Sequence, residues 1–153
     1  MVTRRDTEHV MEEDDMSKYT EQAMELRSHF TPDGRPVYNC AQAVVCAFAE
    51  ETGLDEETCR RMATYFRGGM QMGSVCGAIT GGMMVMGLIG VEYAGVLNGY
   101  YRKLKAAHDG MLECKDLLRV NAERGGEKMP HCNAMIRECV DYVEQILREQ
   151  GKL

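Results

Sequence analysis

Tryptophan is absent from this 153-residue chain, and phenylalanine occurs only three times. Proteins that hold single strands stack bases on aromatic rings, so the scarcity argues against that role. The net charge of -6 and the pI near 5.3 argue against nucleic acid or an anionic membrane as partner. The opening stretch MVTRRDTEHVMEEDD carries no apolar leader, so a cytoplasmic, reducing location is expected. Missing too are a C-x-x-C knuckle, a P-loop, an HExxH helix and a G-x-S-x-G elbow. No stretch alternates apolar and polar residues with period two over a useful length, so strands are not expected.

What is present is helical pattern and sulfur. Residues 1–15 are charged and aperiodic and read as a flexible acidic lead-in to one domain over 16–150. Met16, Tyr19, Ala23, Leu26 and Phe30 recur at helical spacing, and TPDGRP (31–36) ends that helix. Asn39 is suited to cap CAQAVVCAFAEE (40–51), and Gly53 to end it. Asp55 caps a third candidate over 55–66. Ser74 is expected to cap an apolar helix running to about Ile89. Val96, Leu97, Tyr100, Tyr101 and Leu104 mark a fifth. Asp109-Gly110 breaks the chain before MLECKDLL (111–118), and a loop over 122–130 precedes a last helix from about His131 to Gln150. The expectation is an all-α, single-domain bundle of five to seven helices with a glycine-rich central helix.

That central segment raises the main question. From Gly68 to Val91 no residue is charged, a length sufficient to cross a bilayer. Its eight glycines, the polar Gln71, Ser74 and Thr80, and a basic flank of Arg67 alone fit a buried helix better. Gly73, Gly77 and Gly81 recur every fourth residue and would share one helix side. A side without side chains allows close helix packing, or lets other thiols and a bound group approach Cys76.

Seven cysteines in a cytoplasmic chain point to redox or metal chemistry more than to a disulfide framework. Cys40, Cys76, Cys114 and Cys132 fall near expected helix N-termini, where unpaired amides and the helix dipole lower a thiol pKa. Thiolates serve both as redox nucleophiles and as metal ligands. Cys46, Cys59 and Cys139 lie inside helices and read as small packing residues. The thirteen methionines, clustered at Met83, Met84 and Met86, read as core filler rather than copper ligands. His131 beside Cys132 is a candidate base or ligand, against the commoner reading as a polar surface residue.

VYNCAQAV (37–44) followed by FRGGMQMGSVCGAITGG (66–82) resembles a family of redox-active proteins named for a Cys, CGAxxG, Cys, Cys pattern. Residues 76–81 fit the second motif position by position. Cys114 in LECKDLL fits the third cysteine. Cys132 in CNAMIRECVDYVEQIL fits the fourth, with Cys139 as its competitor. The resemblance spans roughly residues 16–150 and departs at Arg67, where the family usually has glycine. It implies a domain extent and a thiol quartet.

Three chemistries follow as expectations. In the first, the quartet performs thiol–disulfide exchange or electron transfer with a protein redox partner. Cys76 is then the most nucleophilic thiol and Cys40 its partner. In the second, Cys40, Cys76, Cys114 and Cys132 hold an iron–sulfur cluster or zinc, with Gly73, Gly77 and Gly81 making room for the group. In the third, the chain is a helical interaction module with structural cysteines. Pairing with a second copy through an exposed apolar face is a further expectation.

Overall fold

A computed structural model describes residues 16–153. The charged lead-in over 1–15 lies outside the described residues. Among the described residues, eight α-helices follow in order: α1 (Lys18–Arg27), α2 (Cys40–Ala47), α3 (Ala49–Thr52), α4 (Glu56–Met62), α5 (Gly77–Ile89), α6 (Ala94–Ala107), α7 (Cys114–Glu123) and α8 (Lys128–Glu149). The count exceeds the expected range because the helix expected over 40–51 breaks at Phe48 into α2 and α3. Among the described residues, β-pairing is limited to two isolated bridges, Phe30 with Pro36 and Val75 with Glu113. No helix among them is long and apolar enough to cross a membrane.

Helix α2 is the axis of the molecule. Every residue after Cys40 is buried, from Ala41 to Ala47. Its start is fixed by a reciprocal capping box. The Gln42 amide donates to Asn39 Oδ1 at 2.8 Å, and the Asn39 amide donates to Gln42 Oε1 at 2.9 Å. The same two side chains also reach outward. Asn39 Nδ2 donates to the Thr64 carbonyl and Gln42 Nε2 to the Arg60 carbonyl. The first residue of the helix, Cys40, is thereby held at a defined place.

Helix α5 packs along α2, and α1 and α8 close the bundle around them. Small residues set the α2–α5 spacing. A Cβ on Gly81 would stand 3.0 Å from the Ala41 carbonyl and 3.0 Å from Val44 Cβ. Gly82 similarly leaves room for the Tyr100 hydroxyl, which donates to the Ile79 carbonyl at 3.0 Å. Helix α1 is pinned to α8 by Thr20, whose hydroxyl donates to Asp141 Oδ1 at 2.7 Å.

The segment before α5 differs from its expected form. Ser74 is extended and does not cap α5; Cys76 occupies the N-cap position. Gly68, Gly69, Met70, Gln71 and Gly73 all have positive φ, so residues 68–73 form a left-handed turn rather than helix. Gly73 therefore lies off the helix, and only Gly77 and Gly81 share its side. The last helix starts earlier than expected, at Lys128, with Pro130 in its first turn, where a missing N–H is tolerated. Cys132 consequently lies one turn into α8.

Candidate functional site

The elements carrying Cys40, Cys76, Cys114 and Cys132 enclose a cavity of about 510 Å³, and all four thiols line it. Cys46, Cys59 and Cys139 do not. All seven cysteines are free. Two local constructions bring the quartet together. The first is the Val75–Glu113 bridge, in which the Cys76 amide donates to Leu112 O at 2.9 Å and the Cys114 amide to Ser74 O at 2.7 Å. In an antiparallel pair, residues flanking the central pair share a face. Cys76 and Cys114 flank it on opposite strands.

The second construction centres on Arg27 at the end of α1. Its guanidinium donates from Nε to Asn133 Oδ1 (2.9 Å), from Nη1 to the Tyr38 carbonyl (2.8 Å) and from Nη2 to Met129 Sδ (3.1 Å). Tyr38 precedes Cys40 by two residues, and Asn133 adjoins Cys132. One side chain thus ties the segment leading to Cys40 to the helix bearing Cys132. Gly77 completes the arrangement. A Cβ there would come to 2.5 Å from Cys40 Sγ and 2.6 Å from the Phe66 carbonyl. The missing side chain is the space the Cys40 sulfur uses.

Of the three glycines expected to accommodate a group, Gly77 alone lines the cavity. Gly81 serves helix packing, and Gly73 turns the chain beside Lys115. Of the two candidates for the fourth thiol, Cys132 faces the cavity, whereas Cys139 is fully buried in the core.

The charge of the lining is one-sided. Arg27, Arg35, Arg67 and Lys128 contribute cations, and no aspartate or glutamate lines the cavity among the described residues. Arg35 pairs with Asp33 at 2.9 Å. Arg27, Arg67 and Lys128 make no ion pair within the described residues. Arg27 is only 6% exposed. His131 also lines the cavity, its pKa lowered by burial and by His108. Leu117, Leu118 and Met135 supply an apolar floor.

For Cys76, Cys114 and Cys132, thiol ionisation departs from the expected direction. Burial pushes the Cys76 thiol up to about 12, and negative charge on Cys40 would push it the same way. The amides of Ala78 and Ile79 at the start of α5 oppose this, as a helix N-terminus should, but desolvation is larger. Cys114 and Cys132 are also raised, first by burial and then by Cys40. Arg27 and Lys128 pull Cys132 back down, and Lys128 does so for Cys114. Cys40 is the one thiol whose charge is felt by all three others.

No group of three or more His, Cys, Asp or Glu side chains among the described residues is placed to hold an ion.

The sequence reading did not single out Arg27 or Lys128. Arg27 looks like an ordinary cation in the last turn of a helix, and nothing local marks its burial. Arg67 was visible as the departure from the family pattern, though not as part of a cationic rim.

The fold and cavity define a class: a small all-α protein in which four separated cysteines meet at one cation-lined pocket. Residues 38–146 match the model of the family described as "Putative redox-active protein (C_GCAxxG_C_C)", and the chain belongs to that family. The family label writes its second motif GCAxxG, where residues 76–81 here read CGAITG. No curated protein and no solved structure matches the chain.

Proposed function

We propose that the protein performs thiol–disulfide exchange in this cavity, with Cys132 as the attacking thiol and Cys40 as the resolving one. The observation that carries the reading is that four thiols from four segments line one pocket, with Cys40 within charge influence of the other three. Cys132 is half-buried and has two cations favouring its thiolate, Arg27 and Lys128. Cys76 is buried and raised to about 12, which suits a reserve thiol better than an attacking one.

The step balances as follows. The Cys132 thiolate attacks one sulfur of a substrate disulfide, giving a mixed disulfide on Cys132 and releasing one substrate thiolate. Cys40, deprotonated, then attacks the Cys132 sulfur. A Cys40–Cys132 disulfide forms and the second substrate thiolate leaves. The protein loses two electrons and the substrate gains them. Cys76 and Cys114 form a second dithiol that can pass electrons to the oxidised pair by the same chemistry.

Reduced protein mixed with the uncharged disulfide 2-hydroxyethyl disulfide tests this. With one equivalent of the disulfide, intact mass and thiol counts should show two thiols lost and no retained adduct. Cys40→Ser should trap the adduct on Cys132, and Cys132→Ser should slow the reaction to background. Unchanged kinetics in both variants would refute the assignment.

A further inference from the structure

Resting on that reading, the question becomes which disulfide the pocket accepts. A buried guanidinium is costly unless its charge is answered. Arg27 is more than nine-tenths buried, yet its three acceptors are neutral: an amide oxygen, a carbonyl and a thioether. A guanidinium has five N–H donors, so three hydrogen bonds leave two without a partner within the described residues. Arg27 lines the cavity, as do the exposed Arg67 and Lys128, and no carboxylate among the described residues does. Positive charge therefore runs from the exposed rim to a buried seat beside Cys40 and Cys132. At about 510 Å³ the cavity has the volume of a small-molecule site.

We propose that the substrate is a low-molecular-weight disulfide bearing carboxylate groups, one carboxylate seating on Arg27 while its sulfurs face Cys132 and Cys40. Arg67 and Lys128 draw the anion inward, and Leu117 and Met135 cover its carbon chain. Because Arg27 bridges the segments of Cys40 and Cys132, the group that binds the anion also fixes both reacting sulfurs.

Binding can be read without any exchange. Thiodiglycolate is a dianionic thioether that cannot undergo exchange, and thiodiglycol is its neutral counterpart. Calorimetry with the reduced, full-length protein should show thiodiglycolate binding and thiodiglycol not. Arg27→Gln should weaken thiodiglycolate by about tenfold or more, the scale of a hydrogen bond to a charged group. Arg27 is also a structural tie, so the exposed pair Arg67→Gln with Lys128→Gln supplies a variant that keeps the core. It should weaken binding several-fold and flatten its salt dependence. In exchange, dithiodiglycolate should react faster than 2-hydroxyethyl disulfide, and cystamine slowest.

Equal binding of thiodiglycol, no thiodiglycolate binding, or indifference to the Arg67–Lys128 replacements overturns the inference. Faster reaction with a protein disulfide than with dithiodiglycolate overturns it as well. If 2-hydroxyethyl disulfide still exchanges while thiodiglycolate fails to bind, the carboxylate inference falls and the exchange chemistry stands. If thiodiglycolate binds and no disulfide reacts, the reverse holds.

Discussion

The two ends of helix α2 carry the same residue type in opposite surroundings. At its start, Cys40 lies in a pocket lined by Arg27, Arg35, Arg67 and Lys128, with no carboxylate among the described residues. Near its end, Cys46 borders a cleft of about 330 Å³ lined by Glu50, Glu51 and Glu56 and, among the described residues, one cation, Lys18. The Cys46 sulfur rests against the Glu56 carbonyl at 3.7 Å. Burial, then Cys59 and Glu56, push its thiol up to about 12. The helix dipole adds to the contrast, positive at the Cys40 end and negative at the Cys46 end. A cysteine's chemistry here is set by the end of the helix it occupies, and a count of cysteines carries little of it.

The largest expected difference between the ends is in exchange. Cys40→Ser should abolish turnover of a small disulfide, whereas Cys46→Ala should leave the rate unchanged within about twofold, since it lies outside the pocket. A loss in Cys46→Ala equal to that in Cys40→Ser would erase the distinction. Thiol titration with 2-hydroxyethyl disulfide reads both.

Next in size is Gly77→Ala. The added carbon would collide with Cys40 Sγ and the Phe66 carbonyl, and the backbone partner cannot swing away. Overpacking of this kind costs about 1–3 kcal/mol, and the displaced sulfur should slow exchange further. Gly87→Ala in the same helix has open space around its Cβ and should instead gain up to about 1 kcal/mol. Urea unfolding of the two variants measures this directly; equal effects would refute the close approach at Gly77.

A smaller effect follows from pH. Cys46 and Cys76 are both raised from 9.0 to about 12. The folded state holds these protons more tightly than the unfolded chain. Their contribution to stability is therefore complete below about pH 9 and lost as pH rises toward 12. Urea midpoints should fall over that window, and Cys46→Ala should flatten part of the slope. The smallest expected change is at Glu56. Glu56→Gln removes one charge facing Cys46 and should lower that thiol's pKa modestly, because burial is the larger cause. Alkylation of Cys46 against pH reads the shift.

Much of this architecture was readable beforehand, for identifiable reasons. Asn39, Gly53 and Asp55 act as the helix boundaries their chemistry suggests, since capping is local. Asp109-Gly110 breaks the chain with two positive φ angles. Ser74 was misleading because the Val75–Glu113 bridge, a contact across nearly forty residues, claims its backbone. Gly73 fitted the four-residue spacing, but the left-handed turn leaves it outside the helix. The thiols of Cys76, Cys114 and Cys132 are raised where lowering was expected, because capping is visible in sequence and desolvation is not. Arg27 was missed for the same reason: its surroundings are assembled from α1, α8 and the segment before α2.

The Arg27 guanidinium does not titrate in any accessible range, so the pocket has a permanent positive reference. Toward alkaline pH its sulfurs are the groups that add negative charge, since the His131 pKa is lowered and that ring is already neutral there. While the sulfurs are protonated or joined in disulfides, Arg27, Arg67 and Lys128 have no ion-pair partner among the described residues; each thiolate that forms offsets one positive charge from within. Guest and thiolate therefore compete for the same countercharge, and the reduced pocket should hold an anionic guest more weakly as the solution becomes more alkaline.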